Sequence, residues 1–375
     1  MVLQRGNETD YTDFKPIRKG VLIVKRFSVC LMAFVLAICF FGTNNSYALI
    51  ASGSQSHASS GHYVHWEISD DGTITFSNGN AVTLIYMNGD ALYWGNYKDR
   101  ITKIVVQPGI LFVRDCYSCP NLTSVSLADT VTYLDADAFR DCPKLVNINI
   151  PDSMTLIRCT AFYGCVGLSS LELPDSVTEM EHSVFAECSN LRHVRLPAHL
   201  TTIENNMFYN CTSLQDINIP NSVKTIKKWA FSNCSSLTEL TLPEGITQIE
   251  ESAFLQCSSL TELSIPASLS RIERTAFANC FSLKSVTLTP GTTEIEEGAF
   301  GGCNQLTDVY YSGTEAQWKK TQIGAHNKSL TNAKIHFNTP VSVGSGENDS
   351  SSAMDWDHPE GIISGIRTDA WGKEI

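Results

Sequence analysis

Thirteen of the 375 residues are cysteine, a residue that can pair with another thiol, bind metal or attack a substrate. Nine of them keep one step of 23 residues: Cys119, Cys142, Cys165, Cys188, Cys211, Cys234, Cys257, Cys280 and Cys303. Cys116 and Cys119 have the C-x-x-C spacing of a zinc ligand pair, but a structural site needs four ligands, and no second C-x-x-C or H-x-x-x-H accompanies them. His57, His62 and His65 lie close together in a Ser-rich stretch and hairpin edge, where histidines are usually solvated. Carboxylate pairs stand at Glu250-Glu251 and Glu296-Glu297, where charge usually meets water. There is no G-x-S-x-G, H-E-x-x-H or phosphate-binding loop. No enzymatic activity, cofactor or metal is expected.

The elements that carry these cysteines repeat with them. Phe139, Phe162, Phe185, Phe208, Phe231, Phe254, Phe277 and Phe300 keep the same step, as do nine leucines from Leu122 to Leu306 and six prolines from Pro151 to Pro266. The unit is L-x-x-L-x-[LI]-P-x-x-V-x-x-I-x-x-x-A-F-x-x-C-x-x, and fixed-period self-similarity of this kind marks a solenoid. In L-x-x-L-x-L the last two apolar residues alternate and face inward, which predicts a short strand. Proline lacks an N–H and closes the strand, and P-D-S or P-E-G turns the chain. The Val/Ile pair and the Ala-Phe step return it. A single unit leaves its apolar wedge wet, so stability is shared between stacked neighbours.

Stacking also bears on the thiols. Equivalent residues in successive coils point the same way rather than at each other, and nine is an odd number. A reduced, packed column of cysteines acting as small apolar residues is therefore expected. A disulfide from Cys116 or Cys159 is the open alternative.

The pattern from Leu145 to Cys165, and in the five units after it, resembles the leucine-rich repeat of BspA-like bacterial surface proteins. HWEISDDGTITFS (65–77) resembles the hairpin that opens such arrays, ITKIVVQPGILFV (101–113) their first coil, and VYYSGTEAQWKKTQIGAHNKSLTNAKIHFN (309–338) their closing segment. The resemblance covers about residues 63–338. It implies an α/β-type repeat solenoid: a right-handed leucine-rich repeat of about nine 23-residue coils, with a parallel sheet on the concave face, an N-terminal β-hairpin cap and a C-terminal cap. It also implies secretion or surface display, and adhesive binding rather than catalysis. The chain departs from the pattern at Thr289-Pro290, where the proline shifts by one, and at Cys116, which replaces the phenylalanine.

The expected division is a signal peptide over 1–48, a linker over 49–62, an N-terminal cap over 63–100, the repeat array over 101–311, a C-terminal cap over 312–338 and a flexible tail over 339–375. The signal peptide rests on Lys25-Arg26, the apolar run 27–42 and the small residues Ser46 and Ala48, which place cleavage after Ala48. Two alternatives are an uncleaved membrane anchor and a lipid-bearing Cys39, although Ile38 stands where a lipoprotein box wants a small residue. Asp71-Gly72 between alternating apolar residues signals the hairpin.

The formal net charge of −12 argues against nucleic acid as a partner. A membrane is expected only through the N-terminal segment. The expected partner is an extracellular protein or cell-surface ligand, bound by residues that alternate outward on the strands. One such column runs Ser124, Asn147, Ser170, His193, Asp216, Glu239, Glu262, Ser285, Asp308, and its neighbour ends in Tyr310. The candidate binding residues are Arg192, His193 and Arg195 as a basic spot, Asp216, Glu239, Glu262 and Asp308 as an acidic run, and Tyr310. The competing readings are a structural spacer, which needs no ligand, and the non-catalytic part of a larger cell-wall or glycan-processing protein.

Overall fold

A computed structural model describes residues 48–56, 63–78, 83–84 and 94–340. The expected signal peptide up to residue 47, His57, His62 and all but two residues of the expected tail lie outside the described residues.

The chain opens with three antiparallel strands, β1 (Leu49–Ser56), β2 (Tyr63–Ser69) and β3 (Thr73–Asn78). The stretch 49–56 is thus strand rather than linker, which corrects the sequence-based division. Its Ser and Gly residues suit a close approach, because a Cβ on Gly53 would come within 2.6 Å of the Trp66 indole. Between β2 and β3 the chain turns at Gly72, whose φ of 84° lies in the left-handed region. The Asp71 carboxylate accepts from the Thr73 N–H at 2.9 Å and fixes that turn.

β3 then pairs in parallel with Lys103–Val106, and every later pairing is parallel. Two sheets run along the stack. The first continues through Ser124–Leu127 and Asn147–Ile148, resumes in the pair Ser170–Glu172 and His193–Arg195, and again runs through Glu262–Ser264, Ser285–Leu288, Asp308–Tyr311 and Lys334–Phe337. At residues 216–219 and 239–242 the chain holds equivalent positions but regular strand pairing lapses. The second sheet is built of very short strands such as Leu156–Ile157, Thr225–Ile226 and Glu294–Ile295, in register with their neighbours.

Between the sheets the proline carbonyl closes a tight turn, as when Val223 N–H donates to Pro220 O at 2.9 Å. The return from the second sheet uses two left-handed residues per coil, one two places before the phenylalanine and one two places after, for example Asn206 (φ 54°) and Asn210 (φ 58°). Two left-handed residues in five cannot propagate a helix. The α/β-type label is accordingly corrected: the array is a parallel β-solenoid. Among the described residues the α-helices are α1 (Glu315–Trp318) and α2 (Lys328–Thr331), both beyond the 23-residue coils.

The coils number about ten rather than nine. Residues 312–338 were expected to cap the array, yet Gln322–Ile323 pairs with Glu294–Ile295 and Lys334–Phe337 pairs with Asp308–Tyr311. They form one further turn, stepping 26 residues from Asp308 to Lys334 instead of 23.

The core is a set of columns. The eight phenylalanines stack face to face with ring centroids 5.0–5.9 Å apart and interplanar angles of 5–20°. Burying each ring contributes about 1.5–3 kcal/mol, and each ring pair about 0.5–1.5 kcal/mol more. At the first turns Trp94, fully buried, meets Phe76 edge-on at 5.8 Å.

Candidate binding face

The strands of the first sheet bury alternate residues, which leaves the others outside. Leu171 and Val194 are buried between exposed or half-exposed Ser170, Glu172, His193 and Arg195. The register aligns Ser170 with His193 and Glu172 with Arg195. Farther on, Glu262, Ser285, Asp308 and Lys334 form one column and Ser264, Thr287, Tyr310 and His336 the next.

The candidate residues divide into three groups. Two members of the basic spot, Arg195 and His193, already have partners. The Arg195 guanidinium lies 3.0 Å from Asp175 and also donates to Leu173 O at 2.6 Å, so it holds the turn beside the strand. His193 Nδ1 is 3.2 Å from Asp216 Oδ1. The Ala198 backbone N–H and then Arg195 hold the Asp175 carboxyl below the ordinary aspartate value. Arg192 is exposed beside them.

Asp216, Glu239 and Glu262 are exposed at equivalent places in three successive coils, which sets them roughly 4.8 Å apart along the stack. No ion pair to Glu239 or Glu262 occurs among the described residues. Like charges directly opposite one another destabilise a sheet, and regular pairing lapses at Asp216 and Glu239.

Asp308 and Tyr310 belong to a small cluster that the 23-residue step conceals. His336 Nε2 lies 2.7 Å from Asp308 Oδ1, and its ring stacks on Tyr310 with centroids 4.9 Å apart. Hydrogen bonds from His336 and Thr307 hold the Asp308 carboxyl below its usual value. Lys334 and His336 escape the sequence reading because the closing turn is three residues longer.

The cysteine column is buried throughout, with every thiol free. Each thiol from Cys165 to Cys303 donates to the phenylalanine carbonyl of the preceding coil, as Cys165 does to Phe139 O at 3.1 Å and Cys234 to Phe208 O at 3.2 Å. The cysteine therefore both fills space and supplies a donor in a dry place, a role that periodicity does not reveal. Burial pushes the Cys257 thiol up to about 12, and burial likewise raises those of Cys188 and Cys234. Protonated thiols are poor nucleophiles.

The carboxylate pairs also have structural work. Glu250 and Glu296 accept backbone N–H groups of Lys228 and Arg274 in the preceding coil, at 3.2 and 2.7 Å. Glu181 and Glu273 do the same for Cys159 and Glu251. Glu251 pairs with Lys228 and Glu297 with His326. A shallow depression of about 450 Å3 is lined by Glu294, Glu296, Glu297 and Arg274, but Arg271 already engages Glu294 and Glu296. His65 sits on β2 against the Ser54 hydroxyl of β1.

One residue stands apart from every column. Trp229 occupies a left-handed position (φ 54°) and is 43% exposed. Its counterparts are Asp137, Thr160, Ser183, Asn206, Ser252, Thr275 and Gly298. Aligning the coils on their phenylalanines would have revealed it.

Short parallel strands in register, an internal phenylalanine stack and a 23-residue coil define a leucine-rich-repeat solenoid whose first sheet leaves alternate residues outside. The family model of the BspA type leucine rich repeat region matches in six copies, over residues 114–238 and 201–326. The chain belongs to this family. Its fold is shared with a leucine-rich repeat protein from Bacteroides ovatus ATCC 8483, at 19% identity and a TM-score of 0.52 over 78% of this chain and 79% of that one. A leucine rich cell surface protein from Faecalibacterium prausnitzii A2-165 is similar at 22% identity and a TM-score of 0.36, over 72% of this chain and 97% of that one. No curated protein matches.

Proposed function

We propose that this chain is a secreted or cell-surface adhesion module that binds an extracellular protein ligand on the first sheet. In this reading the solenoid is right-handed and that sheet is its concave side. Membership of the BspA type family supports a protein-interaction role at the surface. The observation that carries the choice of face is the row Asp216, Glu239 and Glu262, three exposed carboxylates in successive coils. A face that tolerates this repulsion is suited to a basic patch on a partner, whose cations would relieve it. Arg195 and His193, held by Asp175 and Asp216, form the border of that face rather than a second binding spot.

The test is a pull-down of the full chain against extracellular matrix proteins and bacterial cells. It is paired with a variant carrying Asp216→Lys, Glu239→Lys and Glu262→Lys. Saturable binding that the variant loses, with its melting temperature retained, supports the reading. Binding that the variant keeps moves the contact away from this sheet. A folded protein that captures nothing fits a spacer instead.

A further inference from the structure

The acidic column of the first sheet meets a histidine at each end. Its carboxylates are Asp216, Glu239, Glu262 and Asp308, with Ser285 between the last two. His193 stands in the same column one coil before Asp216, and its Nδ1 is 3.2 Å from Asp216 Oδ1. His336 belongs to the closing turn, two residues along from Lys334, and its Nε2 is 2.7 Å from Asp308 Oδ1. Glu239 and Glu262, between these pairs, take part in no ion pair among the described residues. The two histidine side chains are 25% and 27% exposed, so both can exchange protons with solvent.

The charges around each imidazole can be named. Facing His193 are Ser170 and Glu172 on the preceding coil and Asp216 on the following one. Arg192 and Arg195 flank it in sequence, and Arg195 is engaged by Asp175. His336 meets Asp308 and the Tyr310 ring of the preceding coil, with Lys334 on its own strand.

Histidine is the side chain that ordinarily gains its charge between about pH 8 and pH 5, where carboxylates stay ionised. Beside a neutral imidazole the aspartate keeps its full negative charge, and the column then carries four. A charged imidazole cancels its aspartate. With both charged, only Glu239 and Glu262 remain uncompensated, and the imidazolium ions themselves repel an approaching cation.

We propose that the first sheet is a pH-gated face, which holds a basic partner at neutral pH and releases it in mild acid as His193 and His336 discharge the two ends of the column. The inference rests on the acidic row being the contact surface. Protons and the partner then compete for the column, so partner binding must expel protons through the same linkage.

The experiment titrates the full chain with tetramethylrhodamine-labelled decalysine, read by anisotropy at constant ionic strength between pH 8.0 and pH 5.5. The probe keeps its charge throughout. An exposed ion pair contributes about twofold to fivefold to an equilibrium, so losing two should weaken binding by about fivefold or more across this range. His193→Gln combined with His336→Gln should remove most of that pH dependence. Melting temperatures at both pH values establish that each variant is folded. Should the double substitution unfold the chain, His336→Gln alone must remove about half of the change in log Kd. Decalysine that fails to bind at pH 8.0, or that binds the triple Lys variant as well as wild type, overturns the acidic row and this inference with it. Decalysine that needs the acidic row but binds equally at both pH values overturns the gate alone, as does a double Gln variant that keeps the wild-type pH dependence.

Discussion

Replacing Cys234 tests whether the buried thiol column works through hydrogen bonding as well as volume. The side chain is wholly buried and its Sγ lies 3.2 Å from Phe208 O. Cys234→Ala removes a group about the size of a methylene, worth about 0.8 kcal/mol in burial. It also removes a weak donor, worth about 0.5 kcal/mol net. The void cannot collapse easily, because the Phe208 and Phe231 rings stack at 5.2 Å and hold their spacing, and an unrelaxed cavity of ~25 Å3 adds about 0.6 kcal/mol. The expected loss is about 2 kcal/mol. Cys234→Ser keeps a donor aimed at the same carbonyl and should cost only about 1 kcal/mol. Urea titration followed by circular dichroism reads both, with the slopes compared to confirm that the same surface unfolds. Cys119, at the start of the column, donates to no phenylalanine carbonyl: its thiol lies 3.9 Å from Tyr117 O of its own coil and beside the Cys142 thiol. There Ser should have a smaller advantage over Ala. A Cys234→Ser protein less stable than Cys234→Ala would mean that the hydroxyl is stranded, and the column would then be a matter of packing alone.

Other outcomes follow from the same geometry. Trp229→Asn should raise stability by about 0.5–1 kcal/mol, because Asn accepts the left-handed conformation that Trp resists; a lower midpoint in the same titration would contradict this. Glu250→Ala should cost about 1 kcal/mol by unpairing the Lys228 N–H, and amide exchange at Lys228 should accelerate. Gly53→Ala should unseat the Trp66 indole, with a red shift in tryptophan emission and a lower melting temperature. Asp175 and Asp308 have depressed folded-state values, set chiefly by the Ala198 N–H and by His336 respectively. Their stabilisation is therefore full above the unfolded carboxyl value of about 4 and is lost as pH falls through the lower folded values. Asp308→Asn should flatten the fall in melting temperature below about pH 4, and an unchanged slope would remove Asp308 from the acid response.

What the sequence made legible was whatever obeys the 23-residue step. The phenylalanine and cysteine columns, the proline turns and the outward positions on the first sheet all follow from it, since equivalent residues in stacked coils must superpose. What broke the step or left no compositional mark was hidden. His336 joins Asp308 and Tyr310 only because the last turn is longer. Leu49–Ser56 reads as a polar linker because its pairing with β2 is made by backbone, to which side-chain composition is nearly blind. The absence of helix in the coils turns on left-handed residues such as Ser183 and Thr275, residue types that do not advertise that conformation. The donor role of the thiols and the carboxylate bridges of Glu250 and Glu296 needed coordinates, because they depend on where a carbonyl or N–H of the preceding coil points.

The parallel register has a mechanical side. Each coil of the array is bonded to the coil before and the coil after, so tension applied at the two termini meets a series of similar bonds rather than one shared lock. A coil of 23 residues that peels away lengthens the tether by at most about 80 Å, while the coils behind it stay stacked. A pulling trace should show teeth of nearly equal spacing, with a slightly longer one for the 26-residue turn that ends at Lys334–Phe337. Under shear such a chain would yield in steps, lengthening one coil at a time while the remaining sheet surface kept its form.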